Sequence, residues 1–390
     1  MSTNSSNRGD VLSSADRATV VLLQARQGLG SVGVAEFAAA VAATGAGLLV
    51  LRTGEVPLVR DGDVALDGMF EERIAEIADW SSLIPAAATA IVTNDEYLLD
   101  VAPLLCGERG LTTTIPVSRE HYRNKGIMRG LLESAGIAVA ESLIVTAEGI
   151  ETAGGCTGFG DDELVVVKPT AEANLRGIRI ERFGDVEVAA LGDGLVERLL
   201  TGPQYHSEVL VLNGVATHLF SGRYIRSLLD LTKGGPSGSA RVDAETEEWL
   251  AALAVRACTA LGLDGAFTAH VEYLSSGDDP ADVVVSEICA RASGGEVPFQ
   301  SRVITGVDLE LLNLSIQAGF AWPEPKVEAA ASAGWLWRVG RPIDGAERIG
   351  DLAVEASFDR ITLGGRARVR GESADEVMAA LEVLAGANEG

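Results

Sequence analysis

The 390-residue sequence is poor in positive charge. Its 31 lysines and arginines stand against 56 aspartates and glutamates, which gives a formal net charge of −25 at pH 7. Such a chain has little with which to neutralise a phosphate backbone, and this excludes a nucleic-acid partner. Because the acidic residues are spread along the whole length, they indicate a highly soluble, acidic surface.

Cysteine is scarce as well. The chain contains Cys106, Cys156, Cys258 and Cys289, which lie far apart and never in a Cys-x-x-Cys spacing. This excludes a disulfide framework and a zinc site built on paired cysteines, and it is typical of reduced thiols in a cytosolic protein. Residues 1–17 are polar and lack the pattern of a signal peptide, so we expect a disordered N-terminal tail and a cytoplasmic protein.

Long hydrophobic runs are absent too. The longest apolar stretch, residues 37–51, is interrupted by Gly45 and Gly47 and is shorter than a membrane span. It is better explained as a helix that leads into a strand, and no membrane partner is expected.

The motifs of zinc and covalent catalysis are also missing. The four histidines, His121, His206, His218 and His270, are scattered without a His-Glu-x-x-His spacing. No Gly-x-Ser-x-Gly elbow or Cys/His pair indicates a covalent nucleophile. We therefore expect each histidine to be structural or exposed.

What the chain does contain is an α/β pattern in its first third. Apolar runs at 19–24, 47–52 and 90–96 have the length of buried strands, and residues 34–45 and 96–110 have helical spacing. Strands that alternate with helices predict a parallel sheet covered on both faces. We therefore expect a Rossmann-like parallel α/β domain over residues 18–117.

From Ser118 onward the pattern is one of short strands with glycine-rich connections. Asn213-Gly214 between two apolar runs predicts a hairpin. Residues 243–262 predict an amphipathic helix with an acidic first turn. Beyond Pro323 the pattern predicts a small C-terminal α/β unit, with strands at 334–340 and 366–371 and a helix at 373–385.

Two carboxylates are predicted to lie side by side. Glu272 and Glu287 sit on apolar strands joined by the polar turn SSGDDPAD, which predicts a hairpin. Paired carboxylates form an oxygen-only site suited to Mg²⁺. Arg291 falls on the same face as Glu287 by the strand period of two. Charge on one face of an apolar strand is costly unless it is paired or bound to a metal.

Two lysines supply the matching positive charge. Lys168 ends the apolar run ELVVVKP, and Lys125 begins the segment KGIMRGLLESAGI. The loop 170–177 after Lys168 is made mostly of small residues and can lie over phosphates through its backbone N–H groups. Together with Glu272 and Glu287, the lysines predict a site for a metal-bound nucleoside triphosphate.

In these motifs the sequence resembles the ATP-grasp family, over roughly residues 18–325 and in the family's order. The resemblance rests on four stretches, RNKGIMRGLLESAGI, VVVKPT…RGI, VERLLTGPQYHSEVLV and HVEY…SEICAR. The resemblance implies an ATP-grasp fold, with a two-lobed ATP-binding region over 118–325 between the N-terminal domain and the C-terminal unit at 326–390. The implied lobes are residues 118–200 and 201–325.

The resemblance also implies roles for single residues. Lys125 and Lys168 would contact the ATP phosphates, and Glu272 and Glu287 would hold Mg²⁺, or Mn²⁺ in its place. The hinge between the lobes would grip adenine and ribose through Glu197, Arg198, Leu200 and Gln204. Arg291 and Lys168 are the residues expected to act in catalysis.

Two positions depart from the family's pattern. Cys289 stands where many members have an asparagine metal ligand, and a neutral thiol is a poor partner for Mg²⁺. Gln204 stands where a glutamate often holds the ribose hydroxyls, although an amide can still accept one hydrogen bond there.

The implied reaction is the ATP-dependent joining of a carboxylate to an amine through an acyl phosphate, with release of ADP and phosphate. The turn ARASGGE resembles the branch that joins amino acids or peptides, so the expected partners are small carboxylates and amines, foremost amino acids. A homodimer is compatible with the sequence. The alternatives are an ATP-grasp carboxylase that uses bicarbonate and a nucleotide-binding protein without turnover.

A further alternative is NADP binding. Residues 28–33, GLGSVG, form a Gly-x-Gly-x-x-Gly motif between a strand and a helix, and the next strand ends at Arg52. However, three residues separate the first strand from Gly28. Under the ATP-grasp resemblance this loop faces the acceptor substrate, whose carboxylate a helix N-terminus favours.

Overall fold

The chain forms three β-sheets in the computed structural model, which describes residues 17–26, 33–54, 70–262, 264–277, 279–343, 347–359 and 364–387. The α/β architecture expected from the sequence is confirmed. No helix in this part of the chain combines the length and the hydrophobicity that crossing a membrane requires. The expected tail at 1–17 lies almost wholly outside the described residues.

The N-terminal sheet has four parallel strands in the order β3-β2-β1-β4. Its elements are β1 (Thr19–Gln24), α1 (Gly33–Ala43), β2 (Gly47–Arg52), β3 (Glu71–Ile74), α2 (Trp80–Leu83), β4 (Ala88–Thr93) and α3 (Val101–Glu108). Apolar side chains of the strands are buried on both faces, as parallel sheets require. The predicted strands 19–24 and 47–52 are confirmed.

The predicted helix at 96–110 begins later than expected. Residues 96–98 form a separate 3₁₀ turn, which Asp95 caps by accepting a hydrogen bond from Tyr97 N, and α3 starts at Val101. Pro103 gives the reason, because proline has no N–H and is tolerated only in the first turn of an α-helix. A continuous helix from Glu96 would place Pro103 in its interior.

The small lobe contains a five-stranded antiparallel sheet in the order β6-β5-β9-β7-β8, preceded by two helices. The elements are α4 (Arg119–Arg123), α5 (Lys125–Ser134), β5 (Ser142–Thr146), β6 (Gly149–Ala153), β7 (Leu164–Pro169), β8 (Arg179–Arg182) and β9 (Gly194–Arg198). Asn124 caps α5 by accepting hydrogen bonds from the backbone of Gly126 and Ile127, which fixes Lys125 at the first position of the helix.

The largest sheet has nine antiparallel strands in the order β14-β13-β10-β11-β12-β15-β18-β17-β16. Its elements, with the helices that pack on it, are β10 (Gln204–Leu212), β11 (Val215–Tyr224), β12 (Ser237–Arg241), α6 (Ala244–Ala260), β13 (Ala266–Ser275), β14 (Val283–Cys289), α7 (Val297–Thr305), α8 (Leu309–Ala318), β15 (Ser332–Val339), β16 (Arg348–Ile349), β17 (Leu352–Asp359), β18 (Gly364–Gly371) and α9 (Ala374–Ala387).

The C-terminal unit is not a separate sheet. Its strands continue the large sheet because β12 pairs with β15, and α9 packs its apolar side on β12, β15 and β18. The predicted strands at 334–340 and 366–371 and the helix at 373–385 are present, with every end within two residues of the prediction. The strand β17 was not predicted.

The hairpin predicted at Asn213-Gly214 is present between β10 and β11. Leu212 and Val215 pair across it, and Asn213 and Gly214 have φ of 50° and 83°. Positive φ at both central residues is the conformation that favours Asn-Gly in two-residue turns. The turn fixes the register of β10, which carries part of the candidate site.

The N-terminal sheet is joined to the large lobe through α8. The side-chain amide of Gln317 accepts a hydrogen bond from Thr93 N at 2.9 Å and donates one to Thr93 O at 2.8 Å. One residue further along, Asn94 Oδ1 accepts hydrogen bonds from Ala292 N and from Asn313 Nδ2, both at 3.1 Å. These buried contacts place the carboxyl end of β4 against the segment that carries Arg291, which lies two residues beyond the end of β14 and not on the strand itself.

Candidate active site

Glu272 and Glu287 lie directly opposite each other on the neighbouring strands β13 and β14, as the sequence predicts. The register shifts immediately after Glu272 at a β-bulge, a feature that re-aims side chains at a sheet edge. The Glu287 side chain keeps 21% of its surface exposed. The Glu272 side chain is exposed to the same extent, so two partly exposed carboxylates form an oxygen donor set that suits Mg²⁺.

Lys125 reaches this carboxylate pair from the first turn of α5. Its Nζ lies 2.8 Å from Glu287 Oε1 and donates a hydrogen bond of 2.7 Å to the carbonyl oxygen of Glu172. Burial by itself would lower the pKa of Lys125, but Glu287 and Glu96 raise it above its ordinary value. The lysine is therefore a fixed positive charge beside the two carboxylates.

Lys168 and Arg129 share a single buried carboxylate. Lys168, near the end of β7, places its Nζ 2.5 Å from Glu197 Oε2, and Arg129 Nε donates to Glu197 Oε1 at 3.0 Å. All three side chains are almost completely enclosed. Burial would raise the pKa of Glu197, but Arg129 and Lys168 lower it to about 2. Arg129 was not predicted as part of the site.

Arg291 is paired with a carboxylate from the N-terminal domain. Its Nε and Nη2 donate to Glu96 Oε2 at 3.1 and 2.8 Å, and Arg123 Nη1 donates to Glu96 Oε1 at 2.8 Å. Burial would raise the pKa of Glu96, but Arg291, Lys125 and Arg123 lower it to about 2. Glu96 is thus a third carboxylate in the site.

Sequence reasoning missed Glu96, although one signal was present. The residue follows β4, and in open α/β sheets ligands bind beyond the carboxyl ends of the strands. Its neighbour Asp95 accepts hydrogen bonds from the backbone of Ala25 and Arg26, at 2.8 and 2.7 Å, where the chain leaves β1. The two acids therefore stand together at the functional edge of this sheet.

Cys289 lies within the same cluster. Its Sγ is 3.6 Å from Glu96 Oε2 and 4.0 Å from Glu287 Oε1. Burial, together with the neighbouring carboxylates, raises the pKa of this thiol well above its ordinary value. A neutral thiol at this point can donate a weak hydrogen bond but is a poor ligand for Mg²⁺.

The sequence matches no protein-family model and no curated protein. Solved structures do resemble it. The L-amino acid ligase from Bacillus licheniformis is 16% identical, with a TM-score of 0.65 over 94% of this chain and 97% of that chain. N5-carboxyaminoimidazole ribonucleotide synthetase from Thermotoga maritima is 14% identical, with a TM-score of 0.63 over 94% and 98% of the two chains.

A third neighbour was solved with a nucleotide. It is the biotin carboxylase domain dimer of Hydrogenobacter thermophilus 2-oxoglutarate carboxylase, in complex with MgADP, ADP and bicarbonate. It is 15% identical, with a TM-score of 0.66 over 94% of this chain and 89% of that chain. All three neighbours are ATP-grasp enzymes. The chain has the ATP-grasp fold.

The loop predicted to cover the nucleotide in this ATP-grasp fold is held by the N-terminal domain. Tyr97 OH donates to Glu172 Oε2 at 2.9 Å and contacts the backbone of Ala173 at 3.2 Å. Asn174 and Leu175 have φ of 55° and 59°, a conformation that side chains rarely adopt. Strained backbone of this kind is found in ligand clamps.

The predicted ATP-grasp hinge runs from β9 to β10. The Arg198 side chain points to the surface, where it pairs with Glu141 and Glu163. The contact with the nucleotide that is predicted for Arg198 would therefore come from its backbone, as would that of Leu200. Gln204 is buried, and its Oε1 accepts a hydrogen bond from Leu228 N at 3.0 Å, so its amide N–H groups are the part left for a ribose.

Two of the four histidines are buried in the site. His206 lies on β10 and His270 on β13, and both rings contact the fully buried Glu208. Burial would lower the pKa of His270, but Glu208 and Glu272 raise it to about 10. The sequence carries a signal for His270, since it lies two residues before Glu272 and so on the same strand face.

The alternative NADP motif lies outside the described residues, apart from Gly33 at the start of α1. Arg52, which ends β2, pairs with Glu72 on β3. Its positive charge is therefore already neutralised by a carboxylate.

Proposed function

We propose that the protein is an ATP-dependent carboxylate–amine ligase that releases ADP and phosphate. The observation that carries the proposal is the cross-strand pair Glu272 and Glu287, with Lys125 on one carboxylate and Arg291 four residues beyond Glu287. Metal ligands, phosphate-directed positive charge and an arginine for a second anion thus converge at one edge of the fold. Phosphoryl transfer to a carboxylate requires these groups.

The nucleotide would bind between the two lobes. Glu272 and Glu287 would hold Mg²⁺, or Mn²⁺, which accepts the same oxygen ligands. Lys125 and Lys168 would neutralise the phosphates. The hinge residues Glu197, Arg198, Leu200 and Gln204 would line the adenosine end, the middle two through their backbone.

Both lysines are engaged by carboxylates in the structure, Lys125 by Glu287 and Lys168 by Glu197. Phosphate oxygens would compete for their N–H groups when the nucleotide binds. The lysines are thus held in place beforehand and do not have to be ordered from solvent, which lowers the entropic cost of forming the complex.

The proposed chemistry has two steps. A substrate carboxylate, held by Arg291, attacks the γ-phosphorus; the bond to the β-phosphate breaks, and ADP leaves. The amine then attacks the acyl carbon of the acyl phosphate, phosphate leaves, and the nitrogen loses a proton. Lys168 would act by neutralising the transferring phosphoryl group, and Arg291 would also stabilise the oxyanion.

Amino acids are the proposed substrates. The support is the similarity to a solved L-amino acid ligase along almost the whole length of both chains. A homodimer is proposed with it, since another neighbour was solved as a dimer, and a cytoplasmic location agrees with the reduced cysteines.

The proposal is tested by measuring ADP release over all pairs of common amino acids, with mass detection of the products. We expect release that requires both an amino acid and Mg²⁺, with a dipeptide or amide formed in equal amount. Release that depends on bicarbonate instead would identify a carboxylase. A chain that binds Mg-ATP but never releases ADP would contradict the assignment.

A further inference from the structure

A line of polar side chains runs along the face of the large sheet that carries the proposed metal pair. In the antiparallel pairing of β10 with β13, His206 lies opposite Glu272, and Glu208 lies opposite His270. Because each strand alternates its faces, all four side chains project to the same side. His206 and Glu208 are completely buried, and His270 nearly so.

These side chains form one continuous chain of contacts. Ser239 Oγ lies 2.7 Å from His206 Nε2, and His206 Nδ1 lies 3.0 Å from Glu208 Oε1. The same Glu208 oxygen lies 2.7 Å from His270 Nδ1, and His270 Nε2 lies 3.3 Å from Glu272 Oε1. The chain therefore ends on a proposed metal ligand.

The chemistry of the groups sets the direction of the last two contacts. Ionised carboxylates only accept hydrogen bonds, so His270 must donate from one ring nitrogen to Glu208 and from the other to Glu272. Tyr224 OH also contacts Glu272 Oε1, at 3.5 Å. Both neighbours thus engage the same oxygen, which leaves Oε2 of Glu272 for a cation.

Glu208 has no other evident task in the described structure. Its Oε1 bonds only the two imidazoles, and its Oε2 is buried without a hydrogen-bond partner among the described residues. A fully buried carboxylate is costly unless it is paired. The pairs it makes hold the ring of His270 in one orientation, as carboxylates do for the histidines of metal centres.

We propose that His270, clamped by Glu208, is a positioning residue that presents the Glu272 carboxylate to Mg²⁺. The proposal rests on the proposed function, because it takes Glu272 to be a metal ligand. Without the clamp, Glu272 would keep only its 3.5 Å contact with Tyr224, would rotate more freely and would lose more side-chain freedom on binding the metal. The role belongs to metal affinity and not to the chemical step.

The test compares His270→Asn with His218→Asn. His218 lies on the neighbouring strand β11, and its ring forms a hydrogen bond with Ser221 Oγ but none with the four residues above in the described structure. At a fixed ATP concentration, free Mg²⁺ is varied and the half-maximal concentration for turnover is recorded. We expect His270→Asn to raise it about 10- to 100-fold, the usual cost of removing such a partner. At saturating Mg²⁺, kcat should recover to near the wild-type value, and His218→Asn should behave as wild type.

His270→Asn leaves the buried Glu208 with the His206 ring as its one remaining hydrogen-bond partner among the described residues, so a second variant protects the test against misfolding. The double variant Glu208→Gln/His270→Asn also removes the negative charge of the buried Glu208 carboxylate, and it should show the same rise in the Mg²⁺ requirement. An unchanged requirement in folded variants, or an equal rise in His218→Asn, would overturn the proposal. So would a stoichiometric transition metal in the purified wild type that Glu208→Gln loses, because the cluster would then be a metal site itself.

A binding measurement separates this proposal from the proposed function. The affinity for a non-hydrolysable ATP analogue is measured by calorimetry against free Mg²⁺ in wild type and variants. If the wild type releases no ADP with any substrate pair, the ligase assignment fails, yet a His270-dependent Mg²⁺ requirement for analogue binding would still support the positioning role. A wild type whose analogue binding ignores Mg²⁺ would refute it.

Discussion

Replacing Glu197 by glutamine should destabilise the small lobe severely. The carboxylate is buried between Arg129 and Lys168, and the substitution leaves both positive charges enclosed without a neutralising partner. A pKa lowered from 4.5 to about 2 corresponds to roughly 3 kcal/mol of stability at neutral pH. Breaking buried ion pairs by removing one partner typically costs about 3–5 kcal/mol, which agrees with that value.

The matched control is Glu141→Gln in the same lobe. Glu141 also pairs with an arginine, Arg198, but both side chains are more than a third exposed, and Arg198 keeps Glu163 as a partner. Exposed pairs contribute about 0–1 kcal/mol. Urea unfolding followed by circular dichroism should therefore separate the two variants by about 2 kcal/mol or more. A loss in Glu197→Gln no larger than in Glu141→Gln would refute the reasoning.

The buried contacts of Glu197 with Arg129 and Lys168 also predict how stability depends on pH. Because the folded-state pKa of Glu197 is depressed, its contribution is fully present above the ordinary value near 4.5 and is lost as pH falls towards 2. The stability difference between wild type and Glu197→Gln should stay constant from pH 7 to about 5 and narrow below that. A difference that grows on acidification would have the wrong sign for a carboxylate held ionised by the fold.

Three further predictions concern the nucleotide. Glu287→Gln should lower turnover about 100-fold with the fold intact, because a metal ligand supplies several kcal/mol of charge stabilisation; wild-type rates at subsaturating Mg²⁺ would contradict this. Cys289→Asn should reduce the Mg²⁺ concentration needed for half-maximal turnover, since an amide oxygen replaces a thiol; an unchanged requirement would show that the position does not face the metal. Proteolysis within residues 170–177 should slow when Mg-ATP is added and quicken in Tyr97→Phe, which removes the hydroxyl that holds the loop; protection without nucleotide in both proteins would argue against a mobile flap.

The parts of the site that depend only on local structure could be predicted from the sequence. The alternation of β13 and β14, with the polar turn between them, predicted that Glu272 and Glu287 would pair, and the observed register pairs them directly. The hairpin at Asn213-Gly214 followed from turn chemistry alone. Such features need only the geometry of adjacent strands, which a short stretch of sequence encodes.

Residues brought in from a distance were missed. Glu96 meets Arg291 only because Gln317 and Asn313 dock the end of β4 onto α8, a contact across more than 200 residues of sequence. Arg129 looked like an ordinary helix residue, yet it is fully buried, one turn after Lys125 on the same face of α5. The roles of Glu96 and Arg129 are therefore decided by how separate elements pack together. The periodicity of the sequence within one element does not predict such packing.

The path of the carboxylate oxygen tests the central assignment most directly. The correct carboxylate, labelled with ¹⁸O, is incubated with Mg-ATP and the amine, and the phosphate products are analysed by mass spectrometry. Attack on the γ-phosphorus places one label in inorganic phosphate, with ADP formed in equal amount, and hydroxylamine in place of the amine yields a hydroxamate. Label in AMP, with release of pyrophosphate, would mean that an acyl adenylate forms instead and would contradict the account even if an amide were made.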